Sequence, residues 1–507
     1  MAGKEKNYLK DIGKYTSFSF IGEIARYLFL IIGSAIVTNF FGAEIFGKYS
    51  YIISFITILI VVSGIGLGSG VIYFGQKYRQ NNTPDKAKGV IAFAYATVAV
   101  SGGIITAAVM IFAEPISRVL LNSPEHARLL RLMAPLIVIE ALYILSLDVF
   151  RSLKRIARFS LIRNIFYHVL RITAILLCFT IFGMKDVTGI VIPTYTAYLS
   201  VLIYSLVNLH KSKAIGKASS VSRPEKREIL KYSLPLFMSS IISILLRHAD
   251  ILMLGFLRTE EAVAVYKISV QICGIIPFLK HITANFFSPM ISSLYHSGKR
   301  DEMIHTYQKI TKWSFTIGLM VFLGIVLFGD SILHIFGRSF VYGHKALILV
   351  ACGSIIGVVT GQTGSMNAMT GHSRFNLVSA VTTFVINIVL NVILIPLYGI
   401  VGAAIATLIS AVIGNSMSLI YLYIKQRIHP YDITYIKPFI AGGISYVVIY
   451  LLNHLIMWDG VTDILIKGTI FVILFIGSIL ILKIDGDDKI ILNGMLNSIY
   501  GLFRRKR

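Results

Sequence analysis

Of the 507 residues, 56% are hydrophobic and only 14% charged, a balance far too apolar for a soluble protein of this size. A formal charge of +24 would suggest nucleic-acid binding in a soluble chain, but here it sits between apolar segments as in a membrane protein, and no nucleic-acid partner is expected. Cys178, Cys273 and Cys352 all fall inside apolar runs, too few for a disulfide framework or a Cys-rich metal site.

The opening residues, MAGKEKNYLKDIGKYT, are polar. The apolar run after them is too long for a signal-peptide core and lacks a small-residue cleavage site, so it reads as an uncleaved first helix. Fourteen runs of roughly 20 apolar residues occur, about the length a helix needs to cross ~30 Å of hydrocarbon. They lie near 17–40, 50–74, 89–112, 129–150, 160–182, 189–209, 233–257, 263–288, 312–328, 347–369, 376–397, 399–423, 438–456 and 465–482. The expected fold is all-α and polytopic, with 14 transmembrane helices. No aqueous segment between spans is long enough to fold as a domain, which excludes enzymes built on a large outer catalytic region.

With the N-terminus in the cytoplasm, the inner segments hold 34 Lys and Arg, the outer segments 9, and the spans the remaining 5. This positive-inside asymmetry predicts a multi-pass protein of the cell (cytoplasmic) membrane with both termini cytoplasmic. Basic clusters such as Arg151, Lys154, Arg155 and Arg158 would also attract anionic headgroups, although topology alone accounts for them.

Lys14-Tyr15 before the first span recurs as Lys231-Tyr232 before the seventh, an offset of 217. Phe41-Gly42 and Tyr49 match Leu254-Gly255 and Tyr266, and Arg158-Phe159 matches Arg374-Phe375, with offsets of 213 to 217. Such spacing predicts two pseudo-symmetric six-helix lobes in parallel repeat. The expected divisions are an N-terminal lobe at 1–210, a basic inter-lobe linker at 211–232, a C-terminal lobe at 233–425, and helices 13 and 14 with a basic tail at 426–507.

Ionisable groups at mid-membrane are expensive unless paired or wet, and so are functional candidates. Counting from the span edges places Glu23 and Arg26 in the first span, Glu140 in the fourth, Arg171 in the fifth, Arg247 in the seventh and Lys280 in the eighth. Asp250 follows one turn after Arg247, and Lys267 is shallow enough to snorkel. Glu23 with Arg26, and Arg247 with Asp250, are spaced i,i+3 and can neutralise one another on one helix face. The cations outnumber the carboxylates, however, and an Arg fork grips phosphate oxygens bidentately while remaining charged when desolvated. An anionic substrate follows, with Arg26, Arg247, Arg171 and Lys280 as substrate-binding candidates. Glu23, Glu140 and Asp250 are candidates for the coupling ion or for charge pairs.

His168, His248 and His281 lack ligand spacing, so no metal is assigned. Pro135, Pro235, Pro277 and Pro289, with Gly64, Gly66, Gly68 and Gly70, can bend or loosen helices where lobes rock. The glycine run has no strand before it and no GK[ST] after it, and is not a phosphate loop.

The stretch from Asn387 through Asn391, Pro396, Gly399 and Gly402 to Thr407 closely resembles a signature of the multidrug/oligosaccharidyl-lipid/polysaccharide exporter superfamily. Phe41-Gly42 to Gly47-Lys48-Tyr49 looks like the early outer-loop pattern of its polysaccharide transporter, or oligosaccharide flippase, branch. That resemblance implies two lobes in a V, alternating access, and a polyprenyl-pyrophosphate-linked oligosaccharide as cargo, lined by spans one, two, seven and eight. It also implies that intramembrane arginines engage the pyrophosphate, and the matching positions by helix are Arg26 and Arg247.

The expected function is therefore translocation of a lipid-linked oligosaccharide from the inner to the outer leaflet, with no enzymatic step and no cofactor. Membrane lipid, H⁺ or Na⁺, and glycan-polymerising or glycosyltransferase proteins are the expected partners. The alternative is a cation-coupled multidrug extruder of the same superfamily, using Glu23, Glu140 or Asp250. A polyprenyl-phosphate glycosyltransferase would need paired acids or a metal motif at the outer surface, and the short outer loops offer none.

Overall fold

The structure, a computed structural model, describes residues 2–212, 223–455 and 461–482. Residues 213–222 of the basic linker and the basic C-terminal tail lie outside the described residues. In chain order the helices are α1 (Ala2–Gly64), α2 (Leu67–Gln80), α3 (Pro84–Ile111), α4 (Ala113–Leu120), α5 (His126–Met133), α6 (Leu136–Ser152) and α7 (Ile156–Leu161). A π-helical turn, Ile162–Phe166, leads into α8 (Tyr167–Thr180), α9 (Thr188–Lys211), α10 (Arg223–Leu257), α11 (Glu260–Cys273) and α12 (Ile275–His296). Then follow α13 (Arg300–His334), α14 (His344–Val359), α15 (Thr363–Met369), α16 (Ser373–Tyr398), α17 (Ile400–Gln426), α18 (Ile436–Leu455) and α19 (Val461–Ile481).

No strand occurs among the described residues. Lipid supplies no partner for a backbone N–H or C=O, so each spanning segment must satisfy them internally as helix. Among the described residues, thirteen helical stretches are long and apolar enough to cross a membrane, and they fall on the apolar runs of the sequence. The first stretch, Ile21–Gln80, covers two of those runs. Straight, α1 alone would extend about 95 Å, roughly three times the hydrocarbon core. It is interrupted at Gly42 (φ 82°, ψ 171°), a backbone shape open to a residue without Cβ. Large apolar side chains remain exposed along the helices, among them Ile104, Ile181, Leu397 and Ile473, as a lipid solvent permits.

By contact the chain divides into two compact units, residues 1–269 with 380–407, and residues 270–379 with 408–507. Helices of the 233–425 segment contribute to both. The first unit buries Tyr51, Ile52, Ile56, Phe74 and Phe150 almost completely. Its α10 lies close against the α1–α2 junction: a Cβ on Gly66 (φ 68°) would stand 2.6 Å from the Ser233 carbonyl oxygen and 2.9 Å from Phe237 Cβ.

The second unit has two apolar clusters. One gathers Phe287, Ile291, Met303, Tyr307, Met366, Leu422 and Ile428. The other joins the last two helices to α13 through Phe328, Ala441, Ile449, Phe471 and Phe475. Lys467, at the edge of the last apolar run, lies inside α19, which starts at Val461. There its ammonium pairs with Asp463 at 2.5 Å, the two side chains 4% and 11% exposed.

Candidate functional site

Glu23 and Arg26 lie one turn apart on α1, and the pairing open to them at i,i+3 forms: Arg26 Nε and Nη2 both stand 2.9 Å from Glu23 Oε2. The pair is shared. Arg163, in the π-turn, reaches Glu23 Oε1 at 3.4 Å, so one carboxylate serves two guanidiniums and a positive charge is left over. Composition counts Arg163 as a loop residue. The π-turn widens the helix there and carries the side chain toward α1, and such insertions recur at functional positions.

Arg171 and Glu140 meet in a second cluster. The Arg171 guanidinium donates to Thr194 Oγ1 and to the Tyr49 hydroxyl, both at 3.3 Å, and lies 5.6 Å from the centre of the Tyr49 ring. Glu140 lies close enough to Tyr198 and Arg171 to interact with both, without an ion pair to Arg171. Tyr143, Tyr167 and Tyr198 pack around them, with the Tyr167 and Tyr198 rings 4.5 Å apart. Four spans contribute, and only the two charged residues are singled out by composition.

Arg247 and Asp250 do not pair. Arg247 is exposed, whereas Asp250, one turn further along α10, is buried. Asp250 Oδ2 accepts from the Tyr266 hydroxyl at 2.7 Å and from Thr407 Oγ1 at 2.6 Å, and Oδ1 accepts from Asn391 Nδ2 at 2.6 Å. Asn391 also donates to Asn387 Oδ1 at 3.0 Å. Asn387, Asn391 and Thr407 belong to the signature stretch, which therefore supplies polar partners for a buried carboxylate as well as small residues for packing. With the Asp250 carboxylate engaged by these side chains, Arg247 has no ion pair among the described residues. Lys267 lies close enough to Arg247 for the two like charges to interact, and His248 Nδ1 is buried without a partner.

Lys280 belongs to the second unit. Its ammonium donates to the Gly357 carbonyl oxygen at 2.6 Å, near the break between α14 and α15. Gln362, in that break, donates to the Lys280 carbonyl at 2.7 Å and to Thr283 Oγ1 at 2.8 Å. A backbone carbonyl thus takes the place a carboxylate would fill.

The first unit also holds an open cavity of about 550 Å³, lined by Gln76, Lys77, Gln80, Asn81, Arg151 and the ring pair Tyr73 and Tyr232, among others. Those two rings stack at 4.5 Å.

Residues 12–295 match the family of polysaccharide biosynthesis proteins, and residues 235–393 match the MatE family. An uncharacterized membrane protein of Methanocaldococcus jannaschii is 23% identical over 71% of this chain and 74% of its own length. A protein of Haloferax volcanii named as a probable low-salt glycan biosynthesis flippase is 27% identical over 44% of this chain, and the match spans 48% of that relative. Among solved structures, a lipid II flippase in an inward closed conformation superposes with a TM-score of 0.72 at 18% identity, covering 92% of this chain and 98% of that one. That likeness concerns the fold. With more than half of the sequence inside one family match, and the superfamily signature between Asn387 and Thr407, the chain belongs to the polysaccharide biosynthesis proteins of the multidrug/oligosaccharidyl-lipid/polysaccharide exporter superfamily.

Proposed function

We propose that this protein is a flippase that carries a polyprenyl-pyrophosphate-linked oligosaccharide from the inner to the outer leaflet by alternating access. The excess of intramembrane cations in the first unit carries the reading: Arg26 and Arg163 share one carboxylate, and Arg247 is exposed with no ion pair among the described residues. A desolvated pyrophosphate needs forked, permanently charged donors, and arginine provides them. The relatives named as flippases support the same class of cargo. With one crossing on each side of Gly42, the thirteen helical stretches make fourteen crossings, with both termini cytoplasmic.

Asp250 is the coupling residue. Its carboxylate is gathered with Asn391 and Thr407, and Asn391 Oδ1 is buried there without a partner. Carboxylate and amide oxygens side by side suit H⁺ or a hard cation such as Na⁺. The match of residues 235–393 to the MatE family favours a second reading, extrusion of organic cations, which Arg247 would oppose by repulsion.

The test is transbilayer movement of a fluorescent polyprenyl-pyrophosphate oligosaccharide in proteoliposomes, with a cationic dye in parallel. Movement of the lipid is expected, and R26A and R247A should each slow it about tenfold or more, the worth of one or two charged hydrogen bonds, with insertion unchanged. Export of the dye alone would overturn the reading.

A further inference from the structure

The most unusual electrostatics outside these clusters lie where α2 and α6 end side by side. Gly68 and Gly75 on α2 face Asp148 and Ser152 on α6, and a methyl group on Gly75 would collide with the Ser152 hydroxyl, so the two helices run in close contact to their C-terminal ends. Both then stop in the same way. Asn82 (φ 55°) and Lys154 (φ 56°) turn left-handed, and the residues after them donate back: Thr83 N–H to the Tyr78 carbonyl at 2.8 Å, Arg155 N–H to the Phe150 carbonyl at 2.9 Å. These are Schellman turns, and they fold Arg155 back toward the α2–α6 seam on which Arg79 sits.

Arg79 and Arg155 are near enough for their charges to repel. Arg79 Nε and Arg155 Nη1 are both hidden from solvent and have no acceptor, and neither has the Ser152 hydroxyl a partner. The carboxylates at this end are already engaged: Asp85 with Lys88 at 2.8 Å, Asp148 with Arg151 at 3.2 Å, Glu225 with Lys86 at 2.7 Å and Glu228 with Lys77 at 3.5 Å. The negative ends of two helix dipoles soften the repulsion but supply no hydrogen-bond acceptor to the buried N–H groups. Two guanidiniums held together, partly desolvated and unsatisfied, require an anion that accepts from both.

We propose that Arg79 and Arg155, with the Ser152 hydroxyl, form a binding site for a phosphate group. The group belongs either to an anionic phospholipid of the surrounding leaflet or to a pyrophosphate. The site does not depend on what the protein transports.

The test uses the purified full-length protein and its melting temperature in two titrations, one with phosphatidylglycerol against a phosphatidylcholine control, the other with inorganic pyrophosphate. At least one anion should raise the melting temperature saturably. Stabilisation by phosphatidylglycerol alone assigns a lipid headgroup, whereas stabilisation by pyrophosphate assigns a diphosphate ligand. R79Q and R155Q should each weaken the effect about tenfold, and R79K and R155K, which keep the charge but lose the fork, about threefold. K88Q, at a half-buried lysine paired with Asp85, should leave it unchanged. A wild-type protein indifferent to both anions, or R79Q and R155Q proteins that respond to them like the wild type, would overturn the site.

Discussion

At Asp250 the fold gathers three side chains from three other spans on one carboxylate, and the charge is the part that matters for coupling. Asp250→Asn keeps a polar group of the same size among Tyr266, Asn391 and Thr407 while removing that charge. Transport driven by a Na⁺ or H⁺ gradient should fall about tenfold or more, with little change in melting temperature; undiminished gradient-driven transport would move the coupling role elsewhere. The sequence shows that Asp250 is buried in an apolar span, but not what surrounds it. Its spacing from Arg247 suggests an ion pair, whereas Asn391 and Thr407 lie 141 and 157 residues away, beyond any helical periodicity. Arg163 escapes for a local reason: at the edge of an apolar run it counts as loop, and only the π-turn brings it to Glu23.

Helices are where the sequence is most legible, because twenty apolar residues have one stable conformation in lipid. Their interruptions are harder to read. The Gly42 corner opens a segment, 41–49, with no charges but Glu44 and Lys48, so composition marks the gap only weakly. In α19 the apolar run hides an ion pair one turn from the helix start. Lys467→Leu strands the Asp463 carboxylate and should destabilise the protein by about 3–5 kcal/mol, whereas the double variant D463L/K467L should recover most of that loss. Melting of the detergent-solubilised variants decides it, and equal losses in both would mean that Lys467 acts through its other contacts.

For the molecule as a whole, charge asymmetry sets the expected orientation. Single cysteines placed at Lys154 and Asp186, in a background lacking Cys178, Cys273 and Cys352, should react with an impermeant maleimide from the cytoplasmic and the outer side respectively; the reverse labelling would invert the topology. The family is legible from the stretch between Asn387 and Thr407. Grouping by contact is not, for it cuts through the eighth, eleventh and twelfth apolar runs, where no shift of composition marks a border. The corner at Gly42 bears on how the chain is made. Two apolar segments joined by only the short stretch 41–49, which turns at Gly42, leave the ribosome almost back to back, with little hydrophilic chain for the insertion machinery to pass across between them. They should enter the bilayer as one hairpin, and an epitope tag spliced at Gly42 should block biogenesis, while the same tag in the turn at 183–187 leaves the protein in the membrane.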